Sequence, residues 1–317
     1  MKTRYFKFYL MGVAAILLQL GGINAVVAGD RAYEVDWEAY NPEIKGASYV
    51  NSSEACLECH EDYMQKFAIN KHGINLMQKC ESCHGPMSKH LDAPRRKPAL
   101  VVSLSEDTST LTPDQKSHVC LQCHQGTNRM NWKFSQHANA ENACTTCHNI
   151  EAPTDPVLVK TSQTDTCFQC HQDKRSQMFR FSRHPVREGK VVCSDCHNPH
   201  GSSGPSNLAK NTVNEVCYQC HQEKRGPFLW EHQPVQEDCT ICHDPHGSTQ
   251  ARMLKVRPPM LCYQCHQLGG GHPSGFRDGS ALPPGNSSSR YVLAKGCANC
   301  HTNVHGSNHP SGVRFQR

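Results

Sequence analysis

The sequence predicts a mostly irregular, elongated chain with short α-helices and little strand. Two observations lead to this fold class. Each of the 20 cysteines lies in one of ten Cys-x-x-Cys-His boxes, and hydrophobic residues, those cysteines included, make up only 37% of the 317 residues. A chain with so few apolar side chains has little from which to build an ordinary core. Something other than side chains must therefore fill the interior.

The Cys-x-x-Cys-His box is the covalent attachment site of c-type haem. Its cysteines form thioethers with the porphyrin, and its histidine is the proximal ligand of the iron. Ten boxes predict a multihaem cytochrome c with ten haem c groups, and with about 29 residues for each haem the stacked haems must form the core. The predicted haem-bearing cysteines are Cys56, Cys59, Cys80, Cys83, Cys120, Cys123, Cys144, Cys147, Cys167, Cys170, Cys193, Cys196, Cys217, Cys220, Cys239, Cys242, Cys262, Cys265, Cys297 and Cys300. The predicted proximal ligands are His60, His84, His124, His148, His171, His197, His221, His243, His266 and His301.

Other uses of paired cysteines explain the pattern less well. A zinc ribbon or a redox dithiol accounts for a single box, but not for ten boxes that each end in histidine. A disulfide scaffold predicts varied spacings and requires no histidine after every second cysteine. No cysteine remains outside the boxes for a disulfide, a zinc site or catalysis.

The remaining histidines are numerous enough to complete the iron coordination. Ten of the 21 histidines lie in the boxes, and ten bis-histidine haems need ten distal ligands. A bis-histidine haem is coordinatively saturated and has a lower potential than a His/Met haem, so it exchanges electrons without binding a substrate. The sequence leaves open which candidate serves which haem. The distal candidates are His72, His90, His118, His137, His184, His200, His232, His246, His272, His305 and His309.

The boxes repeat in pairs. Four of the pair-opening boxes are nearly alike, as in Cys120-Leu-Gln-Cys-His-Gln, and a distal candidate follows each after a spacer. The second boxes have a closer histidine, as in Asn198-Pro-His-Gly-Ser and Asp244-Pro-His-Gly-Ser. We therefore predict five dihaem modules with a period of about 50 residues. A lead-in over 29–55 precedes the decahaem part over 56–317, and modules 1 to 5 are predicted at 56–119, 120–166, 167–216, 217–261 and 262–317.

Residues 1–28 predict a secretory signal peptide. Lys2, Arg4 and Lys7 precede an apolar run, and Val26-Val27-Ala28 offers small residues for cleavage. The run is short for a bilayer span, so cleavage is favoured over a membrane anchor. No cysteine precedes Cys56 for lipoprotein processing, and no later stretch is apolar enough to span a bilayer. We expect an exported, periplasmic protein.

The formal charge of +5 does not predict nucleic-acid binding. Removal of the leader takes away three cations, and ten ferric haems with two propionates each bring the charge to about −8. The holoprotein is expected to favour cationic partners or cationic redox ligands.

Electron transfer is predicted over catalysis. Multihaem nitrite reductases resemble this chain in haem density, but their catalytic haem uses a Cys-x-x-Cys-Lys box, which this sequence lacks. Hydroxylamine-oxidising multihaem enzymes keep one haem with an open sixth position, so an open haem is the feature that would favour an enzyme. A soluble periplasmic shuttle and a wire of closely spaced haems need the same residues, so both remain open.

Several longer motifs resemble one family. Cys80-Glu-Ser-Cys-His-Gly-Pro, Glu223-Lys-Arg-Gly-Pro-Phe-Leu-Trp-Glu-His and Val304-His-Gly-Ser-Asn-His-Pro-Ser-Gly are similar to the MtrA / MtoA / PioA / DmsE decahaem cytochromes. The resemblance runs from about Cys56 to Arg317. It implies a cytochrome held in an outer-membrane β-barrel porin, which insulates the haems from lipid.

The resemblance also implies partners on both sides of the outer membrane. Inside, these are periplasmic electron carriers such as other cytochromes or a quinol dehydrogenase. Outside, they are an extracellular multihaem cytochrome or iron minerals. Some members of the family reduce metals outside the cell and others oxidise Fe(II), and the residues do not fix the direction.

The chain departs from the family at one distal position. Where the family has a histidine three residues after His148, this sequence has Glu151. In one interpretation, His118 or His309 supplies the missing ligand, and His118 is favoured because it is an addition to the repeating pattern. In the other, one haem holds a weak ligand, so small molecules can bind at its iron.

Overall fold

The computed structural model describes residues 34–76, 79–93, 100–266, 297–299 and 301–315. The predicted signal peptide, His272 and Cys300 lie outside the described residues. The chain divides into two compact units, Met1–Val35 and Asp36–Arg317. Of the first unit, only Glu34 and Val35 are described.

Short helices joined by turns and irregular segments make up the described part of the chain, which confirms the predicted fold class. The α-helices are α1 Trp37–Tyr40, α2 Glu54–Ala68, α3 Lys71–Asn75, α4 Glu81–His84, α5 Ser88–Asp92, α6 Pro113–Leu121, α7 Gln136–Asn139, α8 Cys144–Cys147, α9 Gln163–Phe168, α10 Gln172–Gln177, α11 Cys193–Cys196, α12 Val213–Cys217, α13 Gln233–Glu237 and α14 Met260–Tyr263. The 3-10 turns are Pro42–Ile44, Thr127–Arg129, Trp132–Phe134, Pro156–Leu158, Pro205–Asn207, Gln222–Lys224, Cys239–Ile241, Ala251–Met253, Cys297–Asn299 and Gly312–Arg314.

Extended pairing in these ranges is limited to isolated bridges. The described residues contain no strand, and the bridges join Ser182 to Ser248, His197 to Leu208, Trp230 to Ser307 and His243 to Leu254. Among the described residues, no helix has the length and apolar composition needed to cross a membrane.

Local sequence signals set the start of the helices that lead into the boxes. Helix α6 begins with a capping box, in which the Gln115 backbone donates to the Thr112 hydroxyl at 3.2 Å and the Thr112 backbone donates to the Gln115 side chain at 2.9 Å. Pro113 occupies the first turn, where its missing N–H costs nothing. Thr212 and Glu215 form the same arrangement at the start of α12. Both helices end within or just after the first cysteine of a box, so each capping box fixes where the attachment site begins.

The side-chain core of the polypeptide is small. Twelve hydrophobic side chains of the described residues are buried. By contrast, Phe134, Phe181 and Leu229 are 84%, 79% and 76% exposed in the polypeptide. Each stands three residues before a distal candidate, so each is placed to pack against a porphyrin. Because so little apolar area is buried among the described residues, we expect the polypeptide to need its haems in order to fold.

Of the glycines that directly follow a distal candidate, three have a backbone conformation that requires glycine. Gly201, Gly247 and Gly306 have φ of +96°, +141° and +127°, which residues with a Cβ rarely adopt. A Cβ on Gly201 would lie 2.8 Å from the Asn131 carbonyl oxygen, and a Cβ on Gly247 would overlap the Gln177 carbonyl. These glycines therefore let the segments of neighbouring modules approach closely beside the distal histidines.

Candidate haem-binding sites

Each box forms one helical turn. In nine boxes the histidine N–H donates to the carbonyl of the first cysteine at 2.8–3.1 Å. The first box lies within α2, whose backbone kinks at His60. Residues three and four apart share one face of a helical turn. Both cysteines and the histidine of a box therefore face the same side, as attachment to a single porphyrin requires.

The first cysteines of the two boxes in each predicted module lie together. Their thiols are within hydrogen-bonding reach: burial and then Cys56 raise the pKa of Cys80 to about 12, and a hydrogen bond with Cys144 is the largest cause of the raised pKa of Cys120. The same contact recurs in every module. The pairs are Cys56 with Cys80, Cys120 with Cys144, Cys167 with Cys193, Cys217 with Cys239 and Cys262 with Cys297.

The second cysteines of adjoining modules lie close enough for one thiol to raise the pKa of the other. Burial raises the pKa of Cys83 to about 11, and the neighbouring Cys123 thiol adds to the rise. Equivalent neighbours occur at the later module boundaries: Cys147 with Cys170, Cys196 with Cys220, and Cys242 with Cys265. Taken together, these two sets of neighbouring cysteines place each of the ten attachment sites next to the one that follows it in the sequence. The described cysteines form no disulfide, and the described residues contain no cluster of three or more His, Cys, Asp or Glu side chains that could hold a bare metal ion.

Seven proximal histidines face a distal candidate at a nearly constant distance, with ring centres 5.8–6.3 Å apart. Two metal–nitrogen bonds of about 2 Å, with about 1 Å more from each nitrogen to its ring centre, give about 6 Å. The gap therefore fits one iron between the two rings. The pairs are His124 with His72, His148 with His200, His171 with His137, His197 with His246, His221 with His184, His243 with His305 and His266 with His232.

All seven pairs cross a module boundary, and three boundaries exchange histidines in both directions. Between modules 2 and 3, His137 of module 2 faces His171, while His200 of module 3 faces His148. The boundaries between modules 3 and 4 and between modules 4 and 5 repeat this exchange. Among the described residues of these boundaries, each ring pair therefore joins a proximal histidine of one module to a distal candidate of the next or the preceding one.

Backbone carbonyls orient many of these rings. A carbonyl can only accept a hydrogen bond, so each contact places the proton on Nδ1 and leaves Nε2 for iron. Proximal Nδ1–H groups donate from His84 to Val102 at 2.8 Å, from His197 to Ser206 at 3.0 Å, from His243 to Arg252 at 2.8 Å and from His301 to Arg314 at 2.5 Å. Distal Nδ1–H groups donate from His137 to Pro199 at 2.8 Å, from His184 to Pro245 at 2.8 Å and from His232 to Val304 at 3.1 Å.

Burial favours the neutral form of three distal rings, those of His200, His246 and His305. Desolvation, followed by the neighbouring His148, lowers the pKa of His200 to about 4. Burial is also the largest cause of the lowered pKa of His246 and of His305. Only the neutral imidazole has a lone pair for iron, so these environments favour ligation at neutral pH.

The first box and the last box lie at the two ends of the array, and none of the five predicted modules lies beyond them to supply a histidine. His90 lies close to His60, since burial and then His60 lower the pKa of His90. His60 and His90 both belong to module 1, so this pair does not cross a boundary. For His301, the corresponding candidate His272 lies outside the described residues.

At the boundary between modules 1 and 2, a histidine crosses in one direction only. His72 faces His124, but the position that should face His84 is Glu151, whose Oε1 lies 3.4 Å from His84 Nε2. The structure thus places the family departure at the haem site of Cys80 and Cys83, in the module before the one that contains Glu151.

The two proposed substitutes, His118 and His309, each make a hydrogen bond through Nδ1. His118 Nδ1 shares a 2.8 Å hydrogen bond with the Tyr40 hydroxyl. Nδ1 of His309 accepts the Ser311 backbone N–H at 3.1 Å, which puts the proton of the neutral ring on Nε2, the nitrogen that would bind iron.

Two side chains of these sites were not predicted from the sequence. Asp155, whose side chain is 9% exposed, accepts a 2.6 Å hydrogen bond from His148 Nδ1, where four other boxes use a carbonyl. Tyr63 in α2 donates a hydrogen bond to Glu151. A carboxylate seven residues after a box and a tyrosine on a distant helix belong to no sequence motif, so only the fold reveals them.

Comparison with known proteins agrees with this geometry. The chain is 37% identical over 328 residues to "Multiheme cytochrome MtrA" of Shewanella baltica (strain OS185), covering 97% of each protein. Residues 137–176, 184–226 and 232–269 match the family described as Doubled CXXCH motif. Residues 31–85 match the family described as Cytochrome c554 and c-prime. The family resemblance predicted from the sequence is therefore confirmed: this haem c-binding electron-transfer chain belongs to the MtrA-type multihaem cytochromes.

Proposed function

We propose that this chain binds ten haem c groups, one at each box, and conducts electrons along them in sequence order. The observation that carries the proposal is the unbroken succession of neighbouring cysteines from the first box to the last. Haems attached at neighbouring cysteines must themselves be neighbours. Electrons can then pass from each haem to the next without a mobile carrier.

The proposed axial ligands follow from the ring pairs for seven haems, from the closeness of His90 to His60 for the first, and from the repeating sequence for the last. Seven haems take the paired histidines that cross the module boundaries. The first haem takes His60 and His90, and the last takes His301 with His272. Bis-histidine coordination leaves no open position at the iron, which favours electron transfer over substrate chemistry.

The proposed setting is the periplasmic side of the outer membrane, within a porin. A chain that exposes its polar groups along most of its length needs insulation from lipid, which a closed porin wall supplies. Periplasmic cytochromes or a quinol dehydrogenase would exchange electrons at one end. An extracellular multihaem cytochrome or an iron mineral would do so at the other, in metal reduction or in Fe(II) oxidation.

A vesicle experiment separates this wire from a soluble shuttle. Liposomes containing reduced methyl viologen are reconstituted with cytochrome and porin together, with cytochrome alone and with porin alone, and ferric citrate is added outside. We expect rapid oxidation of the internal dye only with both proteins. Equal rates with the cytochrome alone would reject the conduit and favour the shuttle.

A break in the middle of the array tests conduction itself. Cys167→Ala with Cys170→Ala removes one attachment site and should leave nine haems, counted by protein mass. A wire predicts a large loss of transmembrane rate in this variant. Undiminished transmembrane oxidation with nine haems bound would show that electrons do not pass along the succession of boxes.

A further inference from the structure

Glu151 occupies the place of a distal ligand by position as well as by contact. At the later boundaries, the histidine three or four residues after the second box faces the second box of the preceding module. The equivalent residue after His148 is Glu151, and it faces His84 of the preceding module. Residue 151 therefore still reaches the preceding module, but it presents a carboxylate where the other modules present an imidazole.

The contact between His84 and Glu151 is directed as an axial pair would be. His84 donates through Nδ1 to the Val102 carbonyl at 2.8 Å, so the nitrogen that remains for iron, Nε2, is the one that faces Glu151. The Nε2 to Oε1 separation is 3.4 Å. One iron with two bonds of about 2 Å needs about 4 Å, and the flexible glutamate side chain can supply the difference.

Module 1 holds this carboxylate in place. The Tyr63 hydroxyl donates to Glu151, and after burial this bond is the largest cause of the raised pKa of Tyr63. Asn70 donates to the carbonyls of Ile150 and Ala152 at 2.6 Å and 3.3 Å, on either side of Glu151. Contacts from module 1 thus hold the backbone on either side of residue 151 and orient its side chain toward His84.

We infer that the haem bound at Cys80 and Cys83 has His84 and the Glu151 carboxylate as its axial groups, and that its reduced iron binds small uncharged ligands of the carbon monoxide class. A carboxylate is a hard oxygen donor that suits ferric iron better than softer ferrous iron. The carboxylate is therefore displaced on reduction more readily than an imidazole. Tyr63 stands beside the position as a hydrogen-bond donor for the entering ligand.

This inference rests on the proposed haem at the second box, so haem loading is measured alongside ligation. The oxidised holoprotein is examined by electron paramagnetic resonance, and carbon monoxide binding to the reduced protein is titrated optically. Protein mass gives the haem count of every sample. A missing haem would contradict the proposed function, whereas a full count without carbon monoxide binding would contradict only this inference.

The decisive variant restores the repeating motif. Glu151→His, alone and with Ala152→Gly, supplies the histidine and the glycine that follow other second boxes. Wild type should bind carbon monoxide at about one haem in ten, and the restored variants should lose at least nine-tenths of that binding. Tyr63→Phe should retain the binding with a changed carbon–oxygen stretching frequency.

Two further variants serve as controls. Glu237→Gln alters an exposed glutamate that contacts Gln233, and it should leave the spectra unchanged. His246→Ala should add a second carbon monoxide-binding haem, which calibrates the signal. Absence of carbon monoxide binding in wild type, or binding that persists in both restored variants, would overturn the inference.

Discussion

Replacing Gly201 with alanine should weaken the boundary between modules 2 and 3. Gly201 has φ of +96°, and holding a residue with a side chain in such a conformation costs about 1–3 kcal/mol. The new Cβ would also lie 2.8 Å from the Asn131 carbonyl oxygen and 2.9 Å from the Ser135 Cβ. Overpacking of this kind costs about 1–3 kcal/mol more. The variant should therefore destabilise this boundary by about 2–6 kcal/mol.

The expected damage is local because the boundary orients two haem ligands. His200 directly precedes Gly201, and His137 donates to the Pro199 carbonyl at 2.8 Å. Separation of these segments loosens both rings. We expect a high-spin ferric signal from about one or two haems in ten in the paramagnetic resonance spectrum. The thermal loss of the low-spin absorption band should shift down by about 5 °C or more.

Gly126→Ala is the matched control. Gly126 has φ of −91°, and nothing lies within 4 Å of a Cβ built there. Its stability should change by less than about 0.5 kcal/mol. A Gly201→Ala protein that keeps the parent's thermal transition and an unchanged low-spin spectrum would refute the claim that close approach at Gly201 maintains the boundary.

Three other predictions concern single side chains. Asp155→Asn should raise the reduction potential of the haem held by His148 by on the order of 50 mV. The reason is that a carboxylate partner makes the proximal imidazole more electron-rich. An unchanged set of potentials in film voltammetry would contradict this prediction. Asn214→Ala should destabilise module 4 by about 2–3 kcal/mol, measured by thermal melting. The buried Asn214 amide donates to two carbonyls at 2.8 and 2.9 Å and accepts from the Cys239 N–H at 2.8 Å, and all three bonds would be lost. Burial lowers the pKa of the His200 ring to about 4 in the folded protein, whereas in the unfolded chain it is about 6.5. As pH falls from about 6.5 toward 4, the unfolded chain therefore takes up a proton on this ring before the folded chain does, and the folded state loses stability over that range. A low-spin spectrum at pH 6 that gains high-spin character only near pH 4 is expected, and conversion already complete at pH 6 would be inconsistent with it.

The predicted fold class followed from features that are local in the sequence. A box of five residues specifies one turn whatever surrounds it, and capping residues such as Thr112 and Thr212 mark where the preceding helix begins. The short helices and the scarcity of strand were therefore predictable from composition and motif. The proximal and distal assignments and the module bounds stay predictions, although the paired rings agree with the same histidine types.

The pairing of histidines was not predictable because it depends on how modules pack. Nothing in the spacing of His200 shows that it faces His148, a residue of the preceding module, rather than the closer His197. The motif His-Gly does carry a signal in retrospect. A glycine that must adopt positive φ beside a ligand indicates close approach of another segment, and that segment belongs to the neighbouring module.

The crossing of distal histidines between modules determines which haem a substitution affects. Under the proposed function, a change within a box removes a haem, whereas a change at one of the seven boundary-crossing distal positions alters a haem of the adjoining module. At the boundary between modules 1 and 2, Glu151 and Ala152 stand where His and Gly stand elsewhere. Close approach there is instead secured by Asn70 and Tyr63 of module 1. If the proposed function and the inference about Glu151 both hold, one haem near the beginning of the array differs in chemistry while the succession of attachment sites proposed for conduction stays unbroken.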